Sequence, residues 1–125
     1  MENPVLFEGM GRNAPIATNE RGGQQSALPY RYDLMDGIAT AKLAEVLAYG
    51  ASKYAPNNWR LIDTNSHLNH MLAHVFAYLG GDTQDDHLEH MLCRAHMAVA
   101  VKYQPTNWQE IYTGVKGIEC RVRDN

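Results

Sequence analysis

Two runs of helical periodicity, separated by Gly80-Gly81 and an acidic turn, constrain this chain more than any other feature. In the first, from about Ser66 to Leu79, the residues Leu68, Leu72, Val75, Phe76 and Leu79 recur at the spacing of one helix face. Gly80-Gly81 closes it. The second is capped by Asp85 or Asp86 and runs to about Tyr103, with Leu88, Met91, Leu92, Ala95 and Val99 as its apolar stripe and Pro105 as its stop. A polar stripe runs beside each apolar one. His67, His70, His74 and Tyr78 form it on the first helix; His87, His90 and Arg94, at i, i+3 and i+7, form it on the second. Helices joined by so short a turn bring imidazoles and carboxylates to one end of the pair. These are the side chains that bind divalent cations and move protons near neutral pH.

A third helical pattern begins at Asp36, where Leu43, Leu47, Gly50, Ala51 and Tyr54 recur along one face and Lys42, Glu45, Tyr49 and Lys53 along another. It ends before Pro56-Asn57-Asn58-Trp59. Residues 1–32 carry Gly, Asn, Pro and Gln with almost no periodicity and read as a loop or arm. The expected division is an arm at 1–32, a helical core at 33–104 and an extension at 105–125 that forms a short hairpin, helix or tail. No segment alternates in a sustained way, so the fold class is all-α, a small bundle. Three such helices leave apolar surface uncovered, which oligomerisation would bury.

A chain of 125 residues suits one domain. With 20% charged residues and a net charge of −3 there is no basic patch, which argues against a general nucleic-acid binder. Cys93 and Cys120 have no metal-knuckle or redox spacing, and Cys93 falls within a helical pattern as a buried free thiol. No signal peptide and no apolar run of membrane-spanning length is visible. A soluble cytoplasmic protein is expected, without membrane or nucleic-acid partners.

His70 and His74 stand one turn apart as in zinc-protease helices, but Met71-Leu72-Ala73 between them lacks the catalytic Glu of His-Glu-x-x-His, so a metalloprotease is disfavoured. A lone His pair is ordinarily structural; two pairs flanking a turn with Asp82, Asp85 and Asp86 point to a metal or catalytic site. Asp86 fits a helix cap, and Asp82 and Asp85 are the better ligands. His67, at the helix start, reads as an exposed bystander, and His96 and Glu89 as surface or interface groups. In Gly50–Arg60, Lys53 and Arg60 could pair phosphates, Asn58 could donate hydrogen bonds, and Tyr54 or Trp59 could stack on a base. The plainer role, plugging the bundle end, is favoured for Trp59. Gly22-Gly23-Gln24-Gln25-Ser26 could turn backbone N–H groups toward an anion, without being a Walker loop.

These residues together resemble a known family. The pieces are Gly22-Gly23-x-x-Ser26, Arg31-Tyr32-Asp33-Leu34, Gly50-Ala51-x-Lys53-Tyr54-x-x-x-Asn58-Trp59, His74-x-x-x-Tyr78-x-Gly80-Gly81-Asp82-x-x-Asp85 and His87-Leu88-x-His90. Over about residues 20–104 the chain is similar to the phage and bacterial dATP/dGTP diphosphohydrolase N-terminal domain family, related to the all-α MazG-type pyrophosphohydrolases. It departs from that family's pattern with Ala73 in place of Arg, Asp82 in place of Glu, Arg94 in place of Asn and a shortened turn before His87.

The resemblance implies a MazG-like bundle, a homo-oligomer (dimer to hexamer), that hydrolyses a purine (d)NTP to (d)NMP and pyrophosphate. His74, Asp82, Asp85, His87 and His90 would hold a divalent metal, with Asp85, His87 and His70 as candidates for proton transfer to and from the attacking water. Lys53, Arg94 and Arg31 would neutralise phosphates; Tyr54, Asn58 and the arm through Gly23, Gln24 and Ser26 would contact sugar or base. Imidazole ligands suit Mn²⁺, Fe²⁺, Co²⁺ or Zn²⁺ better than Mg²⁺. The expected setting is control of a phage nucleotide pool in the host cytoplasm. The rival expectation is a phage protein that sequesters a nucleotide or cyclic-nucleotide immune signal without cutting it. A module with a merely solvated His-rich face leaves Gly50–Trp59 unexplained.

Overall fold

The computed structural model describes residues 7–113. Its helices are α1 (Gly37–Lys53), α2 (Thr64–Leu79), α3 (His87–Tyr103) and the short α4 (Trp108–Thr113), and its strands are β1 (Ile16–Thr18) and β2 (Gln24–Ser26). The fold is all-α apart from that small antiparallel hairpin, in which Ala17 faces Gln25. The hairpin departs from the loop expected for the arm. Each strand is only three residues long, too short to print alternation on the sequence. Its turn is held by Asn19, whose Oδ1 accepts from the backbone N–H groups of Arg21 and Gly23 at 2.9 and 2.8 Å.

Local chemistry sets the helix ends. Asp36 caps α1 by accepting from the Ala39 N–H at 2.8 Å. Asp63 caps α2, accepting from the Ser66 N–H at 3.3 Å and from its hydroxyl at 2.5 Å. Between α1 and α2 the chain reverses through Asn57, at φ 66°, into a 3-10 turn over Asn58–Leu61. Asparagine tolerates that left-handed conformation better than most residues. Gly81, at φ +84°, closes the end of α2. Asp86 occupies the N-cap position of α3, yet its side chain makes no cap hydrogen bond, and the only backbone N–H that the Asp85 side chain meets is the adjoining one of Asp86. The expected acidic cap on α3 is therefore absent.

Helices α2 and α3 form an antiparallel pair, which His74 opposite His87, His67 opposite Arg94 and Thr64 opposite the Ala98 carbonyl put in register. Helix α1 and the 3-10 turn pack on α3. His67 and His74 of the α2 polar stripe face Arg94 and His87 of the α3 stripe across this seam, while His70 and Tyr78 are exposed. Most of the apolar stripes expected to form the core instead point outward: Leu68, Leu72, Phe76 and Leu79 on α2, and Leu88, Leu92 and Val99 on α3, are exposed, while Val75, Met91 and Ala95 are half-buried. Phe76 is 68% and Leu79 73% accessible. Among the described residues only His67, Cys93, Ala98 and Pro105 are buried. Sequence periodicity fixes which residues share a face; here the faces that meet are the ones whose polar groups satisfy one another.

Candidate functional site

The centre of the site lies where α2 nears its end and α3 begins. His74, Asp85 and His87 each present one ligand-type atom, and these atoms fall within 4.8 Å of one another. The two imidazoles meet through their Nδ1 atoms, 2.9 Å apart. Two nitrogen ligands at the usual distance from one cation stand about 3.0–3.4 Å apart, so the pair is close to that spacing.

The surrounding groups settle the tautomers. The Nε2–H of His87 donates to Asp82 Oδ2 at 2.5 Å, so Nδ1 carries the lone pair in the neutral ring. This hydrogen bond holds the Asp82 carboxyl below its ordinary range. Burial keeps His74 below the ordinary histidine range, with the neighbouring His90 acting in the same direction. A neutral ring is the ligating form. His90 stacks on His74 with centroids 5.1 Å apart, and its Nε2 stands 3.3 Å from Asp85 Oδ1. The donor set is thus two imidazoles and a carboxylate. Such a set fits a borderline cation such as Fe²⁺, Co²⁺ or Zn²⁺, accommodates Mn²⁺, and fits Mg²⁺ less well.

Beside the cluster, a cavity of about 510 Å³ opens between the C-terminal half of α1, the 3-10 turn and α3. Lys53, Tyr54, Asn58, Arg94 and His90 all line it, so four expected substrate contacts share one wall with an expected ligand. Trp59, Cys93 and Met97 supply apolar lining. A second cleft, between α1 and the start of α3, is lined by the Lys42, Glu45, Tyr49 and Lys53 face together with Asp85, Asp86, Glu89 and His90. Lys53 and His90 border both spaces.

Other expected site residues lie elsewhere, apart from Arg60, which also lines the cavity. Asp82 and His90 adjoin the cluster as hydrogen-bonding or charge partners and stand outside its converging trio. His70 is exposed and belongs to no such group among the described residues. Gly23, Gln24 and Ser26 sit in the hairpin region and do not line the cavity; Ser26 borders a shallow hollow with Gly9, Met10 and Leu28. Arg31 is exposed and held bidentately by Asp33 at 2.8 Å through each nitrogen. Arg60 is clamped between the rings of Trp59 and Tyr112, 4.2 and 3.8 Å from their centroids, and donates to Asn57. It stiffens the bundle end.

His67 overturns its expected exposure. It is completely buried, with Nε2 2.9 Å from the Trp59 carbonyl and Nδ1 3.1 Å from Arg94 Nη1. A position three residues into a helix looks exposed in sequence, but the 3-10 turn folds over it. Its i, i+3, i+7 spacing with His70 and His74 was the available signal.

Fold and site together define a small helical protein with a His/Asp cation-type cluster that His90 links to an adjoining cavity. The family model for dATP/dGTP diphosphohydrolase, N-terminal, matches residues 19–102, and the chain belongs to that family. Comparison with curated proteins and with solved structures gives no match. No helix among the described residues is long and apolar enough to cross a membrane.

Proposed function

We propose that the chain is a divalent-cation-dependent pyrophosphohydrolase of purine deoxynucleoside triphosphates, releasing the monophosphate and pyrophosphate, in the setting of a phage nucleotide pool. The observation that carries this reading is the convergence of His74, Asp85 and His87 beside a cavity walled by Lys53, Asn58 and Arg94. The family's description names dATP and dGTP as substrates. A cation held by His74, Asp85 and His87 would supply positive charge against the phosphate oxygens as the bond to the leaving pyrophosphate lengthens. Lys53 and Arg94 would add their own charge from the cavity wall.

Water attacks the α-phosphorus and the bond to the bridging oxygen of pyrophosphate breaks. His90 stands between cluster and cavity, with Nε2 turned to Asp85 and Nδ1 left to accept the proton that the attacking water loses. This replaces His70, whose exposed position puts it outside the cluster. Asp82 orients His87. Tyr54 and Asn58 would meet base or sugar at the apolar side of the cavity. The outward apolar faces of α2 and α3 would be covered by further copies of the chain, giving a homo-oligomer.

The test is incubation of the pure protein with dATP, dGTP, dCTP, TTP and the ribonucleotides, each with Mn²⁺, Co²⁺, Zn²⁺ or Mg²⁺, followed by assay of monophosphate and pyrophosphate. Equimolar dGMP or dAMP and pyrophosphate, dependent on the cation, is the expected result. Tight binding of nucleotide that is recovered intact under every cation contradicts it and favours sequestration.

A further inference from the structure

The polar group most deeply buried in the described chain is one that the reaction above does not use. His67 is 0% exposed, and both ring nitrogens are engaged. A carbonyl oxygen can only accept, so the contact with Trp59 places the ring proton on Nε2. Nδ1 then carries a lone pair, and the partner it meets is an arginine, which can only donate. The chemistry of both partners thus requires the neutral Nε2–H tautomer. Arg94, for its part, is only partly buried, lines the cavity, and has no carboxylate within ion-pair distance among the described residues. A guanidinium ordinarily found paired with an acid is here held by a neutral base, which spends one N–H on orientation and leaves its charge uncompensated beside the cavity.

We infer that His67 is a positioning residue: through its unprotonated Nδ1 it holds Arg94 against the cavity wall as an anchor for the phosphates of the ligand. The link runs from the Trp59 carbonyl in the 3-10 turn, through the imidazole, to α3. It therefore couples the segment that carries Asn58 to the segment that carries the arginine. An acid in place of His67 would hold Arg94 equally well but would cancel its charge. A hydrocarbon would leave the charge and lose the orientation.

This inference rests on the proposed role of Arg94 at phosphate, and its test separates the two. Inorganic pyrophosphate and deoxyguanosine are titrated calorimetrically into the full chain as wild type, His67→Gln, His67→Leu and Arg94→Ala. The ring nitrogens of His67 are read by nitrogen-15 NMR at neutral pH. A glutamine amide can donate to the Trp59 carbonyl and accept from Arg94, so His67→Gln keeps pyrophosphate affinity to within about twofold. His67→Leu and Arg94→Ala each lose about tenfold or more, the scale of one hydrogen bond to a charged group, while deoxyguanosine affinity stays level. The NMR result expected is a bare Nδ1 and a protonated Nε2.

Should His67→Leu not fold, His67→Gln and the NMR decide. The inference is overturned by a proton on Nδ1, by His67→Gln losing as much affinity as Arg94→Ala, or by wild type that does not bind pyrophosphate. A folded His67→Leu variant with wild-type affinity, or with equal loss toward deoxyguanosine, overturns it as well. Hydrolysis of dGTP alongside any of these sinks the inference alone. The expected affinities in a protein that cuts no nucleotide sink the hydrolase reading alone.

Discussion

His74 and His87 meet nitrogen to nitrogen, Nδ1 to Nδ1 at 2.9 Å, across the seam between α2 and α3. In the absence of a cation, one proton joins them, and the Asp82 contact at the far side of His87 keeps that proton off the wrong nitrogen. Cation binding and this hydrogen bond compete for the same lone pairs. Cation affinity should therefore depend on both rings and on the carboxylate behind them.

Replacing His87 or Asp85 by alanine removes a donor from the trio. Calorimetry with Mn²⁺ or Co²⁺ is expected to show loss of the tight site, and turnover should fall about a hundredfold or more. Asp82→Asn keeps the trio and alters only its support, so a loss of about 10–100-fold in cation affinity is expected, smaller than for His87→Ala. Equal affinity in Asp82→Asn and wild type would show that Asp82 does not orient His87.

Leu72 and Phe76 lie one helical turn apart on the exposed face of α2. A double change to glutamate places two charges on the surface expected to be covered by another copy. Light scattering should report an oligomer for wild type and a smaller species for the variant. A wild-type monomer at all accessible concentrations contradicts the assembly.

Burial lowers the pKa of His67; Arg94 and His70 act in the same direction, while the Trp59 carbonyl and Asp63 oppose. Its folded pKa lies below its unfolded value, so between the two the unfolded chain binds more protons and stability rises with pH. The contribution is complete above the ordinary imidazole value of about 6.5 and fades as pH falls from there toward the folded pKa. Urea midpoints measured across this window should drop on acidification in wild type and drop less in His67→Gln. A steeper drop in the variant would reverse the assignment.

Asp36 accepts hydrogen bonds from Ala39 and Thr40 in the first turn of α1. Asp36→Ala should cost about 1 kcal/mol in chemical denaturation and leave kcat unchanged. Loss of activity without loss of stability would place the N-terminal start of α1 in the chemistry, whereas the cavity lining involves only its C-terminal half.

Much of this arrangement is legible in the residues. The bounds of α1, the stop before Pro56 and the Gly80-Gly81 closure follow from spacing and turn chemistry, and of the five residues expected as ligands His74, Asp85 and His87 converge. What periodicity does not give is which stripe faces which neighbour. Leu68, Leu72 and Phe76 have the spacing of a core face, but across the seam His74 pairs with His87 and His67 with Arg94, and the remaining ring nitrogens of His67 and His87 are met by the Trp59 carbonyl and Asp82. His67 was hidden for the same reason, since its cover comes from a 3-10 turn set by the left-handed Asn57. Arg31 and Arg60 looked free because their partners, Asp33 and Tyr112, engage through geometry that a linear motif does not encode.

The central claim is cleavage between the α- and β-phosphorus under control of the His74, Asp85 and His87 trio. Hydrolysis of dGTP in oxygen-18 water with Mn²⁺, followed by mass spectrometry of the products, tests it most directly. The account requires one labelled oxygen in dGMP, none in an equimolar amount of pyrophosphate, and no products from the His87→Ala protein. Intact dGTP, or dGDP with labelled inorganic phosphate, would contradict it.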